Sequence, residues 1–160
     1  MVATSAGWRR TPIRILTTSN TLVDDRLLVA VLLGEPVALP SGDRWTTSLW
    51  YYRACRAAIA GGAGHLSGPF AELSTTDQAT ALQAMLELPE DIGLPDPRML
   101  VPEMAAVHQR HPRLNLLNLE AVSAARLLGA TVALSAGSAA GILPALLEAE
   151  SVPVKVVRSR

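Results

Sequence analysis

Along this chain the spacing of apolar and polar positions changes repeatedly, and each change predicts an element. Thr21-Leu22-Val23 is a short apolar run stopped by Asp24-Asp25, the pattern of a buried strand closed by acids. From Asp25, the residues Leu27, Leu28, Val31 and Leu32 recur at helical spacing until Gly34. Pro36, Pro40, Ser41 and Gly42 predict a loop. Trp45-Thr46-Thr47 predicts a second strand. Ser48 then caps a helix carrying Leu49, Tyr52, Ala54, Cys55 and Ile59, which Gly61-Gly62-Ala63-Gly64 ends. Thr75-x-x-Gln78 has the form of a capping box, and Leu82, Met85 and Leu86 give the following helix an apolar face. Ile92-Gly93-Leu94 predicts a short strand between Pro89 and Pro95. Pro97 opens a helix that runs to about His111, with Pro102 in its first turn or bending it. Asn115 caps a helix over 116–128 that Gly129 stops. A buried strand over 131–134, a helix over 138–150 and a strand over 152–157 complete the pattern. Helices alternating with short β-branched strands predict a single three-layer α/β domain around a mostly parallel sheet of four or five strands. It spans 14–160, behind a loose polar lead-in at 1–13.

Composition narrows the chemistry. At 160 residues with 49% hydrophobic and 18% charged residues, the chain has enough apolar material for a real core. Its 14 basic and 14 acidic residues cancel, so no global field draws it to nucleic acid or an anionic membrane, and any such binding is local. Lys155 is the only lysine, in Val154-Lys155-Val156 with no glycine near it, which excludes a Walker A loop and makes lysine nucleophiles remote. Cys55 is the only cysteine and excludes an internal disulfide and a CxxC site. The longest aliphatic run, 27–33, is far short of the ~20 residues that cross a bilayer. The N-terminal residues have no apolar stretch behind Arg9-Arg10, so no signal peptide is expected, and a soluble cytoplasmic protein is.

In an open parallel sheet, ligands collect outside the carboxyl ends of the strands. The readable ends are Asp24-Asp25, Thr47-Ser48 and Ser135-Ala136-Gly137. One of the two acids serves as a helix cap, and both roles coexist if Asp25 caps while Asp24 faces the cleft. Gly62-x-Gly64 follows a helix and lacks the third glycine of a dinucleotide loop. Ser138 reads as a helix cap, since the glycine two before it that a nucleophile elbow needs is missing. His108 and His111 read as an exposed pair at a helix C-terminus without a third metal ligand, and Cys55 as a small core residue.

Leu22-Val23-Asp24-Asp25-Arg26-Leu27-Leu28 resembles the opening of PIN domains, where a strand ends in Val-Asp before a helix. The stretch from Met104 through His108, His111, Asn118 and Leu128-Gly129-Ala130 to Ser135 is similar to the C-terminal half of that fold, and the resemblance covers most of 20–157. PIN domains are metal-dependent ribonucleases with three or four carboxylates, because Mg²⁺ and Mn²⁺ are hard cations that take oxygen ligands and activate water against a phosphodiester. The resemblance places the family's first acid on Asp24, its third on Asn118 and its fourth on Gly137. The second belongs on the helix after Thr47-Ser48, where nothing between Asp43 and Glu72 is acidic. Glu120 is a poor substitute for Asn118: two residues along a helix turn it by about 200°, which puts Glu120 on the polar side with Ser123. The implied catalytic positions are therefore Asp24 and Asn118. A metal, if one binds, falls to Asp24 and Asp25.

The densest anomaly is Trp45, Trp50, Tyr51 and Tyr52 interleaved with Arg44, Arg53 and Arg56. Aromatics among arginines stack on single-stranded nucleic acid and also dominate protein interfaces, while core packing of Trp50 and Tyr51 is the plainer alternative. The binding residues expected here are Trp45, Trp50, Tyr51, Arg53 and Arg56. Two functions follow. One is a degenerate, non-catalytic PIN-like protein that binds a protein or nucleic acid, with no cofactor, as a homo-oligomer. The other is an active, toxin-like ribonuclease using Mg²⁺ or Mn²⁺ at a site remodelled on Asp24 and Asp25. Partners under these readings are a second copy, another protein or RNA, and not a membrane.

Overall fold

The four residues Asn20–Val23 form β1, and Leu22 and Val23 point to opposite faces of a sheet buried on both sides. A computed structural model describes residues 19–60 and 74–158 of the chain. The remaining strands are β2 (Asp43–Trp45), β3 (Ile92–Gly93), β4 (Thr131–Ser135) and β5 (Val154–Val157). They pair in the order β3-β2-β1-β4-β5, and every pairing is parallel. Register sets Leu22 beside Trp45 on one side and Val132 on the other.

The helices are α1 (Asp25–Leu32), α2 (Ser48–Ile59), α3 (Thr75–Leu86), α4 (Pro97–Arg110), α5 (Leu116–Leu128), α6 (Ala136–Ala139) and α7 (Leu143–Ala149). They cover both faces. Val23 and Ala133 pack with Leu27, Leu28, Ala54, Ala57 and Met85, which places α1, α2 and α3 on one face. Leu22, Val132 and Leu134 pack with Leu100, Val107, Val122 and Leu147, which places α4, α5 and α7 on the other. This is an α/β architecture around a five-stranded parallel sheet. None of the helices among the described residues is long and apolar enough to cross a membrane.

Several expected boundaries move by one residue, each for a capping reason. Thr47, not Ser48, caps α2: its hydroxyl accepts from the Trp50 N–H at 3.1 Å. Ser74, not Thr75, caps α3, in a reciprocal pair with Asp77, so the capping box sits one residue earlier than Thr75-x-x-Gln78. The helix expected over 138–150 is two helices, α6 capped by Ser135 and α7 with Pro144 in its first turn, and Ser138 lies inside α6. Asn115 and Gly129 bound α5 as expected, Gly129 with φ 57°. The glycine run 61–64 lies outside the described residues.

Thr21 is fully buried in β1, and among the described residues its Oγ1 has no hydrogen-bond partner. Thr21→Val keeps the shape and removes the orphan hydroxyl, so stability is expected to rise by about 1 kcal/mol. A higher urea midpoint at unchanged slope is the readout. A lower midpoint would mean that the hydroxyl is hydrogen-bonded.

At the amino ends of the strands an ion network ties α4, α5 and the C-cap of α7 together. Glu150 accepts from Arg110 at 2.9 and 3.0 Å, lies 2.9 Å from Arg126 Nη1, and has His111 Nε2 at 2.7 Å. Arg126 also reaches Glu103 at 2.7 Å. His111 is thus engaged with a carboxylate rather than paired with His108. The Arg110 hydrogen bonds, aided by His111 and Arg126 and opposed by burial, bring the Glu150 carboxyl from 4.5 to about 2. Its folded pKa lies below the unfolded one, so this stabilisation is complete above the unfolded value and is lost as pH falls from 4.5 towards 2. With Arg110 half in solvent, screening discounts the Glu150 carboxyl's contribution to about 1 kcal/mol. Urea titrations are expected to show Glu150→Gln less stable by that amount near neutrality and nearly equal to the parent once the carboxyl is protonated. An equal difference at both pH values would contradict the network.

Candidate functional site

Strand β1 leads to β2 on one side, whereas β4 returns on the other, so the chain departs in opposite directions from the carboxyl ends of β1 and β4. Open parallel sheets leave a crevice at such a switch point. A cleft of about 340 Å³ lies there, and its lining includes Arg26, Trp50, Arg53, Asn118, Gly137 and Ser138, with the exposed Asn115 and Ile142 also among the lining residues.

Asp24 closes β1 but does not open onto the cleft as a bare acid, being fully buried. Its Oδ1 accepts the Leu27 N–H at 2.9 Å, capping α1. Its Oδ2 accepts the Ser135 N–H at 2.8 Å and the Ser135 hydroxyl at 2.7 Å, joining the ends of β1 and β4. One of the two acids caps α1 as expected, and it is Asp24, because Asp24 holds the extended backbone that precedes the first helical residue; the two roles are therefore not shared with Asp25 as the cap. Asp25 is also buried, accepts the Arg26 N–H, and lies 3.0 Å from the Arg53 Nε. That contact crosses from α1 to α2 and places one guanidinium against the carboxylate.

Glu120 does not lie on a polar side. It is 5% exposed, and its Oε2 accepts the Leu49 N–H at 2.8 Å. Leu49 is in the first turn of α2, where Thr47 satisfies Trp50, so one acid from α5 and one hydroxyl share the capping of α2. The reason is packing: residues 119–125 of α5 are buried on every side, Ser123 among them. Asn118 is half-buried and lines the cleft, as does Gly137, while Glu120 lies behind in the interior.

The space a side chain at Gly137 would fill is taken by Arg26. A Cβ at that glycine would stand 2.6 Å from Arg26 Nη1 and 2.9 Å from Cζ. The Arg26 guanidinium therefore lies across the end of β4, on the position that the resemblance assigned to a fourth acid. Sequence reasoning passed over Arg26. The readable signal was an arginine two residues after the acid of β1, facing a glycine at the end of β4.

The donor set does not fit a hard divalent cation. Mg²⁺ and Mn²⁺ take several oxygen ligands, whereas here both Asp24 oxygens hold protein donors, Asp25 faces Arg53, Asn118 is a neutral amide and Gly137 has no side chain. Among the described residues no three His, Cys, Asp or Glu side chains group closely enough to hold a metal ion.

The aromatic segment is divided rather than presented together. Trp50 is 2% exposed and belongs to the core under α5. Trp45 is half-buried against the same core and donates its Nε1–H to Asn20 Oδ1 at 3.1 Å, while its ring covers Gly93. Tyr51 is half-buried on the other face, and burial pushes its hydroxyl pKa up with help from Cys55. Burial likewise raises the pKa of the Cys55 thiol, which donates to the Met85 carbonyl. Tyr52 is 58% exposed with Arg56 6.0 Å above its ring. Of the five residues expected to bind, Trp50 and Arg53 meet in the cleft. Trp45, Tyr51 and Arg56 stand elsewhere.

No family model matches the chain, and no curated protein does. Among solved structures, a chain of VapBC-1 from nontypeable Haemophilus influenzae is similar to it at 10% identity and a TM-score of 0.48, over 86% of this chain and 97% of that one. That likeness is too slight to carry a function across.

Proposed function

We propose that this chain is a PIN-like domain that has exchanged metal-dependent chemistry for binding. The observation that carries the reading is the state of Asp24. Both of its oxygens bind donors of the protein itself, and the side chains that line the cleft outside it are Arg26, Arg53 and Asn118 instead of carboxylates. A nuclease site of this kind concentrates negative charge to hold a cation that activates water. Here the carboxylates serve as a helix cap and as the inner half of an ion pair. Arg26 and Arg53 are among the residues that line the cleft.

The test is RNA cleavage. Purified protein with labelled single-stranded RNA and Mn²⁺ is expected to leave the RNA intact, with Asp24→Asn indistinguishable from the parent. Cleavage that needs Mn²⁺ and disappears in Asp24→Asn would establish the ribonuclease built on Asp24 and Asp25.

A further inference from the structure

Among the described residues, no carboxylate pairs with the Arg26 guanidinium and no side-chain hydrogen bond is formed by it, yet it is half-buried. The nearest acids are engaged elsewhere: Asp24 with Leu27 and Ser135, Asp25 with Arg53. A guanidinium partly removed from water and lacking a counter-charge favours an anion.

Its surroundings are built of donors. Asn115 Oδ1 is engaged by the Asn118 N–H at 2.9 Å, which leaves the Asn115 amide NH₂ as a donor. The Asn118 side chain and the Ser138 hydroxyl line the same wall, and the first turn of the 13-residue helix α5 adds the positive end of its dipole. Trp50, Ile142 and Leu143 supply an apolar side. We propose that the cleft is a phosphate site, in which Arg26 grips the oxyanion through its fork and Asn115, Asn118 and Ser138 take the remaining oxygens. A phosphate offers oxygens in four directions, which suits donors converging from α1, α5 and α6 better than a planar carboxylate does. The cleft volume leaves room for the organic group that the phosphate esterifies. This deepens the binding reading and rests on it for the role of the cleft, although the site itself needs only Arg26 and its neighbours.

The test is amide NMR with EDTA present, following Gly137 and Asn118 while inorganic phosphate, a nucleoside 5′-monophosphate, a short single-stranded RNA and acetate are added separately. Saturable shifts at Gly137 are expected with all three phosphate ligands, and weaker ones with acetate. Arg26→Gln is expected to weaken phosphate binding at least tenfold, about what one charge-assisted hydrogen bond contributes. Gly137→Asp sets an internal carboxylate against Arg26 and is expected to abolish it. Circular dichroism checks that both variants fold. RNA binding ten times tighter than the monophosphate marks a nucleic-acid backbone as the source, and equal affinity marks a free phosphate ester. No saturable shift with any phosphate, binding unchanged in Arg26→Gln, or acetate equal to phosphate would overturn the proposal. Because metal is absent, RNA cleavage with Mn²⁺ would defeat the non-catalytic reading while leaving this site standing, and failed phosphate binding would do the reverse.

Discussion

Asp24→Ala is expected to lower the folding free energy by about 2–4 kcal/mol. Two backbone donors are orphaned at once, the Leu27 N–H at the start of α1 and the Ser135 N–H at the end of β4, while the Ser135 hydroxyl keeps Ser138 Oγ at 3.2 Å as a weaker acceptor. The Leu27 and Asp24 sites are buried and Ser135 nearly so, hence water does not readily replace the carboxylate. A lost helix cap alone is worth about 1 kcal/mol, and the unsatisfied Ser135 N–H with the weakened hydroxyl contact accounts for the rest. Asp24→Asn is expected to fall between, because one amide oxygen serves only one side while its NH₂ meets another N–H. Urea unfolding measures both. The sign separates the two functions, since acids held together for catalysis commonly destabilise a fold and their removal is neutral or stabilising. A neutral or stabilised Asp24→Ala would therefore count against a structural role.

Arg53→Met is expected to destabilise by about 3 kcal/mol, by a different mechanism. It removes the guanidinium 3.0 Å from a carboxylate that is 1% exposed, and losing a charged partner at a buried acid is far more costly than an ordinary lost contact. The double variant Asp25→Asn/Arg53→Met is expected to be more stable than Arg53→Met alone, since the buried charge that lost its guanidinium is gone. A double-mutant cycle in urea measures that coupling. Additive losses would mean that the pair is a solvent-screened contact of little consequence.

Much of the scaffold was legible because it depends on local rules. The apolar run at 21–23 stopped by acids, Asn115 and Gly129 bounding a helix, and Pro97 opening another are decisions made within a few residues. Thr47 and Ser74 take the caps expected one residue later, because adjacent Ser and Thr residues offer the same capping hydroxyl and local rules do not rank them. The division of labour at Asp24-Asp25 was not readable, since it depends on Arg53 and Ser135, which lie 28 and 111 residues from their partners. Glu120 was misplaced for a related reason. Helical periodicity separates opposite faces of α5, but cannot tell that α2 begins against the second one. Arg26 was passed over because a charged residue in a first turn ordinarily points to water, and only the missing side chain at Gly137 gives it a place across the end of β4.

On the proposed reading, Asp24 holds the fold and not a metal. Crystals soaked in Mn²⁺ and measured at the manganese absorption edge address it directly, because the ion reveals itself by its anomalous signal alone. The expected result is no peak at coordination distance, about 2.2 Å, from either Asp24 oxygen, with Ser135 and Leu27 still bound to them. A Mn²⁺ peak at that distance, with the Ser135 contact broken to admit it, would contradict the account.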